Sequence, residues 1–215
     1  MARKKTTEIY QGKVGNIDCV IDWPAGEAKG WALVLHPHPL QGGTRDNKVV
    51  TTISRSCVEH GLVAVRPNFR GVGASEGEFD NGVGETADML MLVQQFLENY
   101  PQLASGIWVL GGFSFGTSVG AQLYSTLVQQ QKAAPDAVIF AGPAIERFKF
   151  TEVNLPDHTV LVHGENDDVV PLSESMDYAR SNNLPVVVIP DSGHFFHGKL
   201  LILKGLVEQR LSAIR

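Results

Sequence analysis

The chain has 215 residues, 43% hydrophobic and 19% charged, a globular balance that at this length buries roughly 70% of the unfolded surface and excludes a disordered chain. Its 18 lysines and arginines against 23 aspartates and glutamates give a formal charge of −5; apart from Arg3-Lys4-Lys5, read as a solvated terminus, no basic run suits nucleic acid or an anionic membrane. Nothing approaches the roughly 18 consecutive apolar residues of a membrane span, and MARKKTTEIYQGKV has charge with no apolar run behind it, so secretion is not expected either.

In chain order, 8–23 reads as two extended runs about Gly12-Lys13-Val14-Gly15, an antiparallel hairpin carrying Cys19. Short β-rich runs follow at 31–36, 62–67, 107–110, 137–141, 159–163 and 186–189. Between them lie helical patterns at 48–60, carrying Cys57, and at 85–100, 115–131, 173–181 and 195–214. The two cysteines lack CxxC spacing and are expected to be buried small hydrophobes in a reducing cytoplasm. Runs such as Ala32-Leu33-Val34-Leu35 are continuous rather than alternating, as in strands covered on both faces. The expectation is one α/β domain over 1–215: a mostly parallel central sheet with an N-terminal antiparallel hairpin, helices on both faces, and no repeat or linker.

The strongest chemical motif is Gly112-Phe113-Ser114-Phe115-Gly116, set between the run at 107–110 and a helix. A G-x-S-x-G in strand–turn–helix context reads as a nucleophile elbow, where a sharp turn exposes the serine hydroxyl and leaves no room for side chains beside it. The amides of the following helix favour negative charge near Ser114. The alternative is an ordinary glycine-rich turn whose serine caps the helix.

A serine hydroxyl needs a base. The run 159–163 leads into Gly164-Glu165-Asn166-Asp167-Asp168-Val169-Val170-Pro171, which supplies two adjacent acids, and 186–189 leads into Pro190-Asp191-Ser192-Gly193-His194. Both loops follow the carboxyl ends of strands, on the rim expected for Ser114.

With these residues in place the chain resembles the α/β-hydrolase superfamily over about 8–210. The pattern G-x-x-D-x-x-V-P falls on Gly164, Asp167, Val170 and Pro171, so the resemblance implies Asp167 as the triad acid, with Asp168 a solvated neighbour and Glu146 a remoter candidate. His36-Pro37-His38-Pro39-Leu40 and Phe69-Arg70-Gly71-Val72-Gly73-Ala74-Ser75-Glu76-Gly77 are similar to small lidless bacterial hydrolases near the dienelactone-hydrolase and carboxylesterase branch. The family's oxyanion hole uses the amide after the nucleophile, here Phe115, and one from the first loop. Proline has no N–H, which leaves His38 and, second, Leu40; Pro37 stands where the family usually has glycine. The stretch 70–77 is read as a turn bracing the first loop.

Other patterns weigh less. His36-x-His38 and His194-x-x-His197 could suggest a metal, but prolines interleave the first pair and His194 already has a role. His197 is expected one turn into the last helix as a packing residue. Gly82-Val83-Gly84-Glu85-Thr86-Ala87 fits a dinucleotide pattern yet follows a loop, and Gly193 to Leu200 lacks the Ser or Thr of a P-loop. Arg45 and Arg70 are candidates for a substrate carboxylate, and Leu40, Phe113, Phe115, Phe195 and Phe196 for an apolar wall or for core.

The reading is a serine hydrolase of a small carboxylic ester or related acyl bond, acting through Ser114, His194, Asp167 and an acyl-enzyme, with no cofactor. Acyl transfer and thioester hydrolysis use the same triad, and a binding module that kept the fold is the alternative of another class. The expected partner is a small acyl substrate, without nucleic acid or membrane; a homodimer is left open. Only 17 residues, 142–158, separate the runs where larger relatives insert a lid.

Overall fold

The computed structural model describes residues 4–214. Its strands are Lys5–Gln11 (β1), Asn16–Asp22 (β2), Gly30–Leu35 (β3), Leu62–Pro67 (β4), Ile107–Phe113 (β5), Ala137–Ala141 (β6), Val160–Gly164 (β7) and Val186–Ile189 (β8). The helices are Lys48–Glu59 (α1), Val83–Asn99 (α2), Phe115–Gln129 (α3), Leu172–Asn182 (α4) and Leu200–Ser212 (α5). One sheet holds all these strands in the order β1-β2-β4-β3-β5-β6-β7-β8. The β1–β2 and β2–β4 ladders are antiparallel, and every ladder from β4 through β3 to β8 is parallel. The hairpin and parallel sheet expected from the sequence are both present. Of the basic triplet, Arg3 lies outside the described residues; Lys4 and Lys5 are exposed, but Lys5 already opens β1 opposite Asp22.

The unbroken apolar runs are explained by burial on two sides. Along β3, Trp31, Leu33 and Leu35 join the core beneath α2, α3 and α4, while Ala32 and Val34 join the core beneath α1 and α5. On the first face Trp31 stacks on Trp108 at 4.7 Å and meets Phe96 at 4.9 Å. Each large side chain buried in this way contributes about 1.5–3 kcal/mol.

Two boundaries differ from expectation for physical reasons. Strand β5 runs on through Gly111 and Gly112, which pair with Val34 and Leu35 on one side and Ile139 and Phe140 on the other. A Cβ on Gly111 would stand 3.0 Å from the Ile53 side chain, so this glycine lets α1 close on the sheet and does not break the strand. Helix α5 starts at Leu200 and not at 195, because Phe196 (φ 53°) and Gly198 (φ 72°) take left-handed backbone that no α-helix contains. His197 is therefore an exposed loop residue stacked on Phe195 at 5.9 Å, not a packing residue inside the helix.

The strand order locates the site. From β3 the chain crosses over α1 to β4 on one side, whereas from β5 it crosses over α3 to β6 on the other. The order thus reverses between β3 and β5, and the loops leaving the carboxyl ends of those neighbours diverge to opposite faces. Such a switch point leaves a crevice.

Candidate active site

Ser114 stands at that crevice, between β5 and α3, with φ 54° and ψ −122°. A residue with a Cβ pays on the order of 1–3 kcal/mol to sit there, so its surroundings must impose the turn. They do so through the backbone: the Ser114 N–H donates to Ala141 O at 3.0 Å, and the Ser114 carbonyl accepts from the Thr117 N–H at 2.8 Å and the Thr117 hydroxyl at 2.6 Å. The flanking glycines are required by contact. A Cβ on Gly112 would meet Gly116 O at 2.9 Å, and one on Gly116 would meet Leu35 O at 2.6 Å and His36 O at 2.7 Å, so larger residues would force α3 off β3.

The loop after β8 brings His194 to this serine, and the loop after β7 brings Asp167 to the histidine. Asp167 Oδ2 accepts from His194 Nδ1 at 2.7 Å, leaving His194 Nε2 to accept from the Ser114 hydroxyl at 2.9 Å. All three residues are buried. Asp167 Oδ1 accepts from the Val169 and Val170 amides at 2.9 and 2.8 Å. Burial alone would raise the Asp167 carboxyl, but the His194 hydrogen bond and these amides outweigh it and hold the carboxyl below its ordinary value. The His194 ring rests on Phe113, 4.9 Å between centres. Gly142 lies against both rings: a Cβ there would come within 3.0 Å of His194 Cε1 and 3.3 Å of Phe113 Cε2. Sequence reading passed over Gly142 and Thr117, since nothing in the local pattern reveals what a loop glycine faces or which carbonyl a threonine holds.

The competing acids are elsewhere. Asp168 is exposed, and Glu146 lies in a 3-10 turn at Ile145–Phe148, paired with Lys149 at 3.2 Å.

In the first loop, a 3-10 turn at Pro39–Gln41 is capped by His38, whose Nδ1 accepts from the Leu40 amide at 3.2 Å. That amide is already engaged. The amides of Phe115, the first residue of α3, and of His38 donate to no acceptor among the described residues. The His38 ring packs on Phe79, Phe115 and Phe148 at 4.7–5.4 Å, and burial lowers its pKa.

His36 is spoken for by backbone: Nε2 accepts from the Phe69 amide at 2.9 Å, so Nδ1 carries the proton and donates to Pro37 O at 2.7 Å. With both nitrogens used, the ring braces the first loop against 69–77. Burial, partly opposed by the Pro37 carbonyl, pushes its pKa from the ordinary 6.5 down to about 4. An unfolded His36 thus binds a proton below pH 6.5 that the folded one refuses until about pH 4, and stability falls with pH across that window. We expect unfolding free energy to drop by about 3 kcal/mol between pH 7 and pH 4 from this residue. Denaturant titrations that give a flat stability over that range would show that the ring charges in place.

The two arginines weighed as binders of a substrate carboxylate are each held by a carboxylate of the chain itself. Arg45 pairs with Asp18 at 2.8 Å, and Arg70 holds Asp88 with two bonds at 2.8 and 3.0 Å while itself buried. Of the proposed apolar wall, Phe113, Phe115 and Phe196 are fully buried core, leaving Leu40 (73% exposed) and Phe195 (43%) at the surface. The glycine-rich stretch at Gly82 is the start of α2, where Glu85 accepts from the Gly82 and Asp80 amides at 2.8 and 2.9 Å and fills the space a phosphate would need.

Fold and site together define an α/β serine hydrolase. The model of the phospholipase/carboxylesterase family matches residues 74–198, and the chain belongs to that family. It is similar to an α/β serine hydrolase without lid from Xanthomonas campestris, at 30% identity and TM-score 0.87 over 99% of this chain and 95% of that one. An α-β serine hydrolase homologue from Coxiella burnetii is 34% identical, TM-score 0.79, over 96% and 97% of the two chains. An uncharacterized protein of Rickettsia prowazekii is 34% identical over 78% of this chain and 72% of its own length.

Proposed function

We propose that the protein is a single-domain cytoplasmic carboxylesterase that cleaves small esters or related acyl bonds through an acyl-enzyme. The observation that carries the reading is the unbroken chain from Ser114 Oγ to His194 at 2.9 Å and from His194 to Asp167 at 2.7 Å. The buried free thiols of Cys19 and Cys57 support a reducing compartment.

In this reading Ser114 is the nucleophile at the elbow. Its Oγ attacks the carbonyl carbon as its proton passes to His194 Nε2, and Asp167 stabilises the imidazolium. The unengaged amides of Phe115 and His38, one from each side of the switch point, hold the developing oxyanion; the Leu40 amide, tied to His38, does not serve. Collapse expels the alcohol, which takes the proton from His194. Water then attacks the acyl-enzyme, gives its proton to His194, and the acid leaves as Ser114 Oγ recovers its hydrogen.

Treatment with a fluorophosphonate tests the reading: one equivalent of label on Ser114, located by peptide mass spectrometry, is expected. Wild type that neither labels nor hydrolyses a panel of short acyl esters would overturn it.

Substrate size follows from the connection between β6 and β7, which holds only the 3-10 turn at Ile145–Phe148 and no helical cap. A long acyl chain on an open cleft leaves most of its carbons in water, whereas each buried CH₂ contributes about 0.8 kcal/mol. We expect kcat/KM on p-nitrophenyl esters to peak at about two to six acyl carbons, with no rate jump at a lipid interface. A profile climbing steadily to long chains would refute the open cleft.

A further inference from the structure

Behind the Asp167 carboxylate lies a second buried histidine that the chemistry above leaves unused. His163, in β7, is wholly buried, and both of its ring nitrogens have partners. Nε2 stands 2.9 Å from Val170 O and 3.4 Å from Asp167 Oδ2; Nδ1 stands 2.8 Å from Ser175 Oγ in α4. A carbonyl can only accept, so Nε2 carries the proton, and in the neutral ring Nδ1 accepts from the Ser175 hydroxyl. The Val170 carbonyl thus fixes the tautomer, and Ser175 anchors the opposite edge of the ring.

Val170 transmits this orientation through the two peptide groups that flank its Cα. Its carbonyl accepts from His163, while its N–H donates to Asp167 Oδ1 at 2.8 Å. His163 thereby anchors the residue whose N–H grips one carboxylate oxygen, and sets its own Nε2–H beside the other. Oδ2, the oxygen beside that N–H, is the one that accepts from His194. Around the carboxylate are thus two amides and two imidazoles, supplied by the loop after β7, by β7 itself and by the loop after β8.

We propose that His163, anchored by Ser175, is a positioning residue that aims the Asp167 carboxylate at His194. The inference rests on the reading that Asp167 serves His194 in catalysis. Burial keeps the ring neutral by lowering its pKa, against the pull of Val170 O and Asp167. The other ionisable groups facing it are His194 and Glu174, and Glu174 is tied to Arg147 by two bonds at 2.8 and 2.6 Å. That pairing leaves the Asp167 carboxylate as the charge His163 meets most directly.

The test separates hydrogen bonding from packing. His163→Met fills similar space without a donor; His163→Gln keeps an N–H near the place of Nε2. On a short p-nitrophenyl ester we expect His163→Met to lower kcat by about 20-fold with KM within about twofold, since a small misplacement of a catalytic group carries a cost of this size. Freed of the competing N–H, Asp167 acts on His194 with more of its charge, and the pH–rate midpoint should rise by about half a unit. His163→Gln should recover most of kcat and return the midpoint. Should His163→Met fail to fold, Ser175→Ala takes its place, with an expected loss of about fivefold in kcat and the same direction of midpoint shift. A folded His163→Met, or in its absence Ser175→Ala, with wild-type kcat and midpoint would overturn the proposal, as would His163→Gln no better than His163→Met. A Ser114→Ala control as active as wild type would overturn the underlying mechanism instead.

Discussion

Ser114→Ala is expected to fold normally and to lose roughly 10⁴-fold or more in kcat, leaving only what binding and the oxyanion amides supply. Folding should survive because the strained turn is held at the N–H and carbonyl of Ser114, by Ala141 O and by the Thr117 amide and hydroxyl, and none of these bonds involves the serine hydroxyl. Matching circular dichroism and thermal midpoints, together with loss of fluorophosphonate labelling, would establish that chemistry alone was removed. Retention of more than a tenth of wild-type esterase activity would sink the mechanism.

The second large effect is Asp167→Asn, expected to cost about 10³–10⁴ in kcat. The Val169 and Val170 amides would keep the Asn carbonyl oxygen in the place of Oδ1, turning its NH₂ toward His194 Nδ1. Nδ1 would then have to accept, the ring proton would move to Nε2, and Nε2 could no longer take the proton of Ser114. Asp168→Asn, at an exposed side chain, should change kcat by less than about twofold. The opposite ranking would assign the acid to Asp168.

Much of this site was legible because each triad candidate sits in a loop that directly follows a strand, and in a parallel sheet such loops share one rim. Gly112 and Gly116 flank Ser114 for a reason visible in composition, since only glycine permits the approach of α3 to β3. Resemblance then chose between Asp167 and Asp168, which composition left equivalent. The misreadings share a cause. Arg45 and Arg70 looked like free surface cations because Asp18 and Asp88, their partners, are distant in sequence. Phe195 to Lys199 looked helical because apolar spacing carries no warning that Phe196 and Gly198 take left-handed backbone.

By itself the sequence determined the alternation of strands and helices, the hairpin and the turn at Ser114, because periodicity and glycine placement act over a few residues. Only the tertiary structure decided which groups meet: His194 with Asp167 27 residues away and Ser114 80 away, or His36 with the Phe69 amide 33 away. His163 shows the division most clearly, an unremarked residue at the end of a strand until α4 brings Ser175 to one ring nitrogen and the acid loop folds Val170 onto the other. Local pattern sets the conformation of each segment; hydrogen bonds to distant partners become readable only once packing has closed the distance between them.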